Sequence, residues 1–146
     1  YGPARACAGI VGFADLSLGA SVEEILRQHV ALGGGRFKGI RHISAFDPSG
    51  AIRRSHTSPP HKLLSEKGFR EGFAKLKATG LRFDAWLYHP QLPELTDLAR
   101  AFPQQPIVLD HVGGPLGIGP YQGKRDEIFR SGRSLSMTSP RAPTCS

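Results

Sequence analysis

Four short apolar runs in this chain end on side chains able to do chemistry. They deliver Asp15, the pair Arg41-His42, the pair Tyr88-His89 and the pair Asp110-His111. A neutral imidazole at a strand end can bind a metal or exchange a proton near neutral pH. That makes His111 the candidate catalytic or metal-binding group. A guanidinium can grip a carboxylate through two parallel N–H donors, so Arg41 is the candidate anion holder. His89, at a strand exit before Pro90, is a candidate ligand or substrate contact. Each has a plainer alternative: a capped loop histidine for His111 and His89, a surface ion pair for Arg41. Asp110 and His111 are consecutive, and consecutive strand residues point to opposite faces. His111 is therefore expected to face the site and Asp110 to support it from behind. By the same alternation His42 points away from Arg41 and reads as packing. Trp86 and Tyr88 share a strand face and read as core, while His29, His56 and His61 sit in a helix or a polar loop.

These residues need a frame to hold them. The apolar runs at 7–13, 37–42, 82–88 and 107–110 are short, rich in β-formers and lack clean alternation, which predicts strands buried on both faces. Between them lie helical patterns. Ser21 with Glu24 has capping-box spacing, and Val22, Ile25, Leu26 and Val30 follow on one face until Gly33-Gly34-Gly35 stops the helix. Phe69, Phe73 and Leu76 predict a helix over 66–78. Pro93 opens another that carries Leu95, Leu98 and Phe102. The stretch 44–60, with Asp47-Pro48, Ser49-Gly50 and Pro59-Pro60, predicts a loop. Strands alternating with amphipathic helices give an α/β fold with a parallel sheet, whose reactive groups gather at the strand C-terminal ends.

The 146 residues suffice for one domain with a real core, and 18 Gly with 12 Pro indicate many turns. The net charge of +7 invites a nucleic-acid reading, but five basic residues after Tyr121 against two acidic ones leave only +4 for the first 121. No helix carries a basic stripe with interleaved aromatics, so no specific nucleic-acid partner is expected. No run is long enough for a membrane span. Cys7 and Cys145 form neither a disulfide framework nor a zinc-finger spacing, so a cytoplasmic setting is expected. The glycine-rich GGGRFKG precedes a strand and fails the dinucleotide pattern; GIGPYQGKR lacks the first Gly and the Ser or Thr of a P-loop. From residue 130 onward Ser, Arg, Pro and Thr dominate, and 130–146 is expected to be a disordered or aberrant tail behind a folded unit spanning 1–129.

VLDHVGGP (108–115), GRFKGIRH (35–42), GIVGFADL (9–16) and FDAWLYHPQLPEL (83–95) together resemble the amidohydrolase-related family of TIM-barrel hydrolases. The likeness is strongest to its branch of lactonase-like enzymes. The resemblance implies a (β/α)8 barrel, of which this chain would supply about strands two to five with their helices, a partial TIM barrel. It implies His111 as the middle-strand catalytic histidine and, in metal-dependent members, a metal ligand. It implies Arg41 as the holder of an acidic substrate, with Tyr88 or His89 near that substrate. The activity implied is hydrolysis of a lactone or a related C–O or C–N bond, with a divalent metal such as zinc, or none in lactonase-like members. The family's HxH pair and its last-strand Asp are not in this sequence. Two other readings compete: a non-catalytic half-barrel that self-associates through its open edges, and a small doubly wound domain that binds an anion.

Overall fold

The computed structural model describes residues 7–53 and 55–136, with side chains up to Arg130. Four strands, β1 (Ile10–Gly12), β2 (Phe37–Arg41), β3 (Arg82–Ala85) and β4 (Ile107–Leu109), form one sheet in the order β1-β2-β3-β4. Every neighbouring pair is parallel. Helices α1 (Val22–Leu32), α2 (Lys67–Ala78) and α3 (Leu92–Ala101) link successive strands, and α4 (Arg125–Ser136) follows β4. Crossovers of one hand between strands laid down in sequence keep every helix on one face of the sheet. A doubly wound sheet needs a point where the strand order reverses. The order here has none, so the doubly wound alternative fails and the winding is that of a partial (β/α)8 barrel.

The core lies between the sheet and the helices. Ile40 of β2 and its register partner Phe83 of β3 are fully buried there, against Phe69, Phe73 and Leu76 of α2. The Phe73 and Phe83 rings meet edge to face at 5.2 Å, a favoured quadrupole arrangement. Leu26 of α1 and Leu98 of α3 complete the layer. Among the described residues no helix covers the opposite sheet face, and Val11, Phe13 and Val108 are exposed.

Several expectations shift in detail. Each strand is shorter than its apolar run, since beyond Ala85 the chain pairs with a loop: Trp86 accepts at its carbonyl from Ser44 N–H at 3.0 Å. The capping box at Ser21 does not form. A 3-10 turn, Leu16–Ser21, runs straight into α1, so Ser21 already has helical φ and ψ and its hydroxyl donates to Leu18 O at 2.7 Å. Ile25, expected on the buried face, is exposed. Helical backbone continues to Ser136, past the boundary drawn at residue 129, with acidic residues in its first turn and Ile128 buried. Residues 137–146 of the expected tail, and Cys145 with them, lie outside the described residues. Cys7 is exposed and unpaired. Among the described residues no helix is long and apolar enough to cross a membrane.

Candidate functional site

The register of the sheet builds the polar centre. Arg41 pairs with Asp84 across β2 and β3, and Asp84 pairs with Val108 across β3 and β4. Side chains two apart on a strand share a face, which brings Asp110, just beyond β4, alongside. Arg41 Nη2 donates to Asp84 Oδ2 at 3.3 Å, and its Nε lies 2.9 Å from Asp110 Oδ2. The second contact is an ion pair off the hydrogen-bonding axis, so Asp110 Oδ2 is buried without a hydrogen bond. The two carboxylate side chains are 10% and 11% exposed and the guanidinium 43%, so one cation bridges two shielded anions at the rim of the sheet. Burial pushes the Asp110 carboxyl above its ordinary range; Arg41 opposes this, Asp84 adds to it and His111 opposes it. Asp110 thus links Arg41 to His111.

β4 ends at Leu109, and the chain then coils with the opposite hand. His111, Val112, Gly113 and Gly114 have φ of 49, 55, 76 and 55°. The left-handed region is costly for a β-branched residue such as Val112. This turn replaces the extended geometry assumed beyond Asp110, so strand alternation does not decide where His111 points. The turn is held by His89 N–H, which donates to Gly114 O at 3.1 Å, and it packs so close to the chain leaving β3 that only glycine fits: a Cβ on Gly114 would lie 2.2 Å from Leu87 O. His111 stands exposed, its ring edge-on to Trp86 at 6.1 Å.

Tyr88 and His89 do not join this centre. Tyr88 donates its hydroxyl to Arg53 O at 3.3 Å, tying down the loop after β2. His89 Nδ1 accepts from Leu116 N–H at 3.3 Å, and its ring meets Tyr121 edge to face at 4.8 Å. Tyr121 in turn donates to the buried Asp47 at 2.6 Å. Burial and the Asp47 carboxylate push the Tyr121 hydroxyl up to about 12. Burial would raise Asp47, but hydrogen bonds from Ser49 and Tyr121 outweigh it and hold the carboxyl below its ordinary range. Three strand-end loops are clasped together by these contacts. Asp84 and Asp47 escaped sequence reasoning: the first lies inside an apolar run and the second in a turn motif that explained it fully.

His42 is packing, as alternation predicted. It lies between Phe13 and Phe69, with Nδ1 accepting from Leu16 N–H at 3.3 Å. Burial pushes this imidazole below its ordinary range, against the pull of Asp15. The unfolded chain therefore takes up this proton more readily than the folded one. The resulting stability is full above the unfolded value of about 6.5 and is lost progressively as pH falls from there through the lower folded value. Burial shifts His89 the same way. The thermal midpoint is expected to drop between pH 7 and 5, with a shallower drop in His42→Gln; an unchanged slope would remove His42 from the account.

Beside the charged centre is a cleft of about 870 Å³, lined by Val11, Phe13, Arg41, Ile43, His56 and Thr57 together with Gly9 and Gly12. Among the described residues no group of three or more His, Cys, Asp or Glu is placed to hold a metal ion. Asp84 and Asp110 are occupied by Arg41, so these residues do not fit a divalent ion by themselves.

Comparison with known proteins gives the same frame. The chain is 35% identical over 105 residues to the uncharacterized protein y4mH of Sinorhizobium fredii (strain NBRC 101917 / NGR234). That alignment covers 72% of this chain and 33% of the relative, so the chain spans about a third of the curated protein it matches. Two crystal structures of an amidohydrolase from Burkholderia multivorans, one with bound zinc and one with bound HEPES, share the fold with TM-scores of 0.62. Their identities are 21% and 23%; each match covers 88% of this chain and 38% or 39% of the solved one. The amidohydrolase family model matches residues 4–133, nearly the whole described chain. A sheet wound in sequence, polar groups gathered at its strand ends and a family match along that same stretch lead to one conclusion: this chain belongs to the amidohydrolase family.

Proposed function

We propose that this chain supplies part of the active-site funnel of a hydrolase that opens a lactone, or a related C–O or C–N bond, in a small carboxylate-bearing substrate. The observation that carries this reading is Arg41, held at a strand end by Asp84 and Asp110 and lining the cleft. Its Nε and Nη2 serve the two aspartates, which leaves the Nη1 donors for a substrate carboxylate. Hydrolysis bonds a water oxygen to the acyl carbon, and the ring oxygen leaves with a proton. His111, exposed beside Asp110, is the group proposed to exchange that proton. Tyr88 and His89 border substrate from the mouth, where they already fix the loops.

A zinc ion is present in the Burkholderia multivorans amidohydrolase. The residues described here do not make a metal site by themselves, and His111 is the single ligand this chain would offer. The sparse cysteines support a cytoplasmic setting, and no nucleic acid or membrane enters the reading.

The test is a binding titration followed by amide NMR, with a γ-lactone bearing a free carboxylate and its methyl ester as probes. The acid is expected to shift signals around Arg41, Asp84 and His111, and the ester to leave them in place. Equal binding of both would overturn the reading. A second reading rests on the sheet face without helices and on β1 and β4, each paired on one side only among the described residues. Open parallel edges with exposed Val and Phe favour association. Light scattering that climbs with concentration, without lactone turnover, is its signature.

A further inference from the structure

His56 has no assigned role, and its neighbours in sequence suggest only a polar loop. The fold carries that loop back over the sheet. Tyr88 anchors it at Arg53 O, and a turn closes beyond it where Ser58 N–H donates to Ser55 O at 3.0 Å, with the Ser55 and Thr57 hydroxyls 2.8 Å apart. His56 and Thr57 sit at the crest of this turn and form the wall of the same cleft that Arg41 lines. The other loop and helix histidines are engaged elsewhere. His29 bonds Phe13 O at 3.1 Å, His61 packs on Phe46, and His89 serves Leu116. Among the described residues the His56 ring makes no hydrogen bond, ion pair or ring contact.

We infer that His56 is a second substrate-contacting residue, donating an N–H from the loop side to the carboxylate that Arg41 grips from the sheet side. The apolar body of that substrate lies against Val11, Phe13 and Ile43 between them. The inference rests on the reading of Arg41 as the anion holder. It specifies the ligand as a carboxylate with an apolar body, approached by a guanidinium and an imidazole from two elements.

The experiment uses the 146-residue chain at pH 7 and the lactone acid as probe, following the His56 ring signals together with the amides near Arg41. Both sets are expected to shift along one binding curve. His56→Ala should weaken binding about tenfold or more, the worth of one hydrogen bond to a charged carboxylate, and His56→Gln, which keeps an N–H donor, should recover most of it. If the Arg41 signals shift while His56 stays still and His56→Ala binds normally, this inference fails and the reading of Arg41 stands. If neither set shifts, both fail.

Discussion

Gly72→Ala should destabilise the chain by about 3 kcal/mol, at the upper end of what overpacking costs. On helix propensity alone the change would stabilise α2 by about 1 kcal/mol. Packing decides the sign. A Cβ at Gly72 would lie 2.1 Å from Leu16 O and 2.9 Å from the Leu16 carbonyl carbon, both backbone atoms that no rotamer change can move. One turn earlier, a Cβ on Gly68 would come within 2.8 Å of Ser17 O. The two glycines make a groove along α2 in which the 3-10 turn after β1 lies. Forcing that turn outward also pulls Leu16 N–H from His42 and disturbs the end of β1. Urea unfolding measures the effect, with Gly68→Ala expected to be milder. A Gly72→Ala chain as stable as the parent would show that the turn does not seat in the groove.

Arg41→Leu has the second large effect, on stability and binding together. Removing a cation from between two shielded carboxylates leaves their charges facing each other without compensation. Such deletions cost about 3–5 kcal/mol for fully buried pairs, and the exposure of this guanidinium reduces the expectation to about 2 kcal/mol. The loss exists only while both Asp84 and Asp110 are ionised. The gap between Arg41→Leu and the parent should therefore be widest at neutral pH and close as pH falls through the carboxylate range. Arg41→Lys keeps the charge but cannot span both carboxylates, and should fall between. Binding of the lactone acid is lost in Arg41→Leu. A stability gap that persists at low pH would mean that the side chain acts through packing of its stem.

The Asp110-His111 pair marks where strand alternation stops applying. Alternation presumes extended backbone, and one residue beyond the end of β4 at Leu109 the chain enters four residues of positive φ, His111 to Gly114. The close approach of Gly114 to Leu87 O, which leaves no room for a Cβ there, is made with a chain segment far away in sequence. The capping box at Ser21 failed for a similar reason. The spacing was right, but a 3-10 turn seated against Gly68 and Gly72 had already made the residue helical.

What the sequence determined by itself was whatever depends on near neighbours. The run of β-formers at each strand, the period of Phe69, Phe73 and Leu76, the breaks at Gly and Pro, and the polar groups at the strand ends are local, and local energetics place them. The packing role of His42 follows from the same alternation. Only the tertiary structure decided which of those polar groups meet. Arg41, Asp84 and Asp110 come together through the register of three parallel strands, and register is set by the match of buried Ile40 and Phe83 across the sheet. It also decided that Tyr88 and His89 clasp loops and that His56 faces the cleft, because a crossover of many residues returns to the sheet wherever packing, not spacing, puts it.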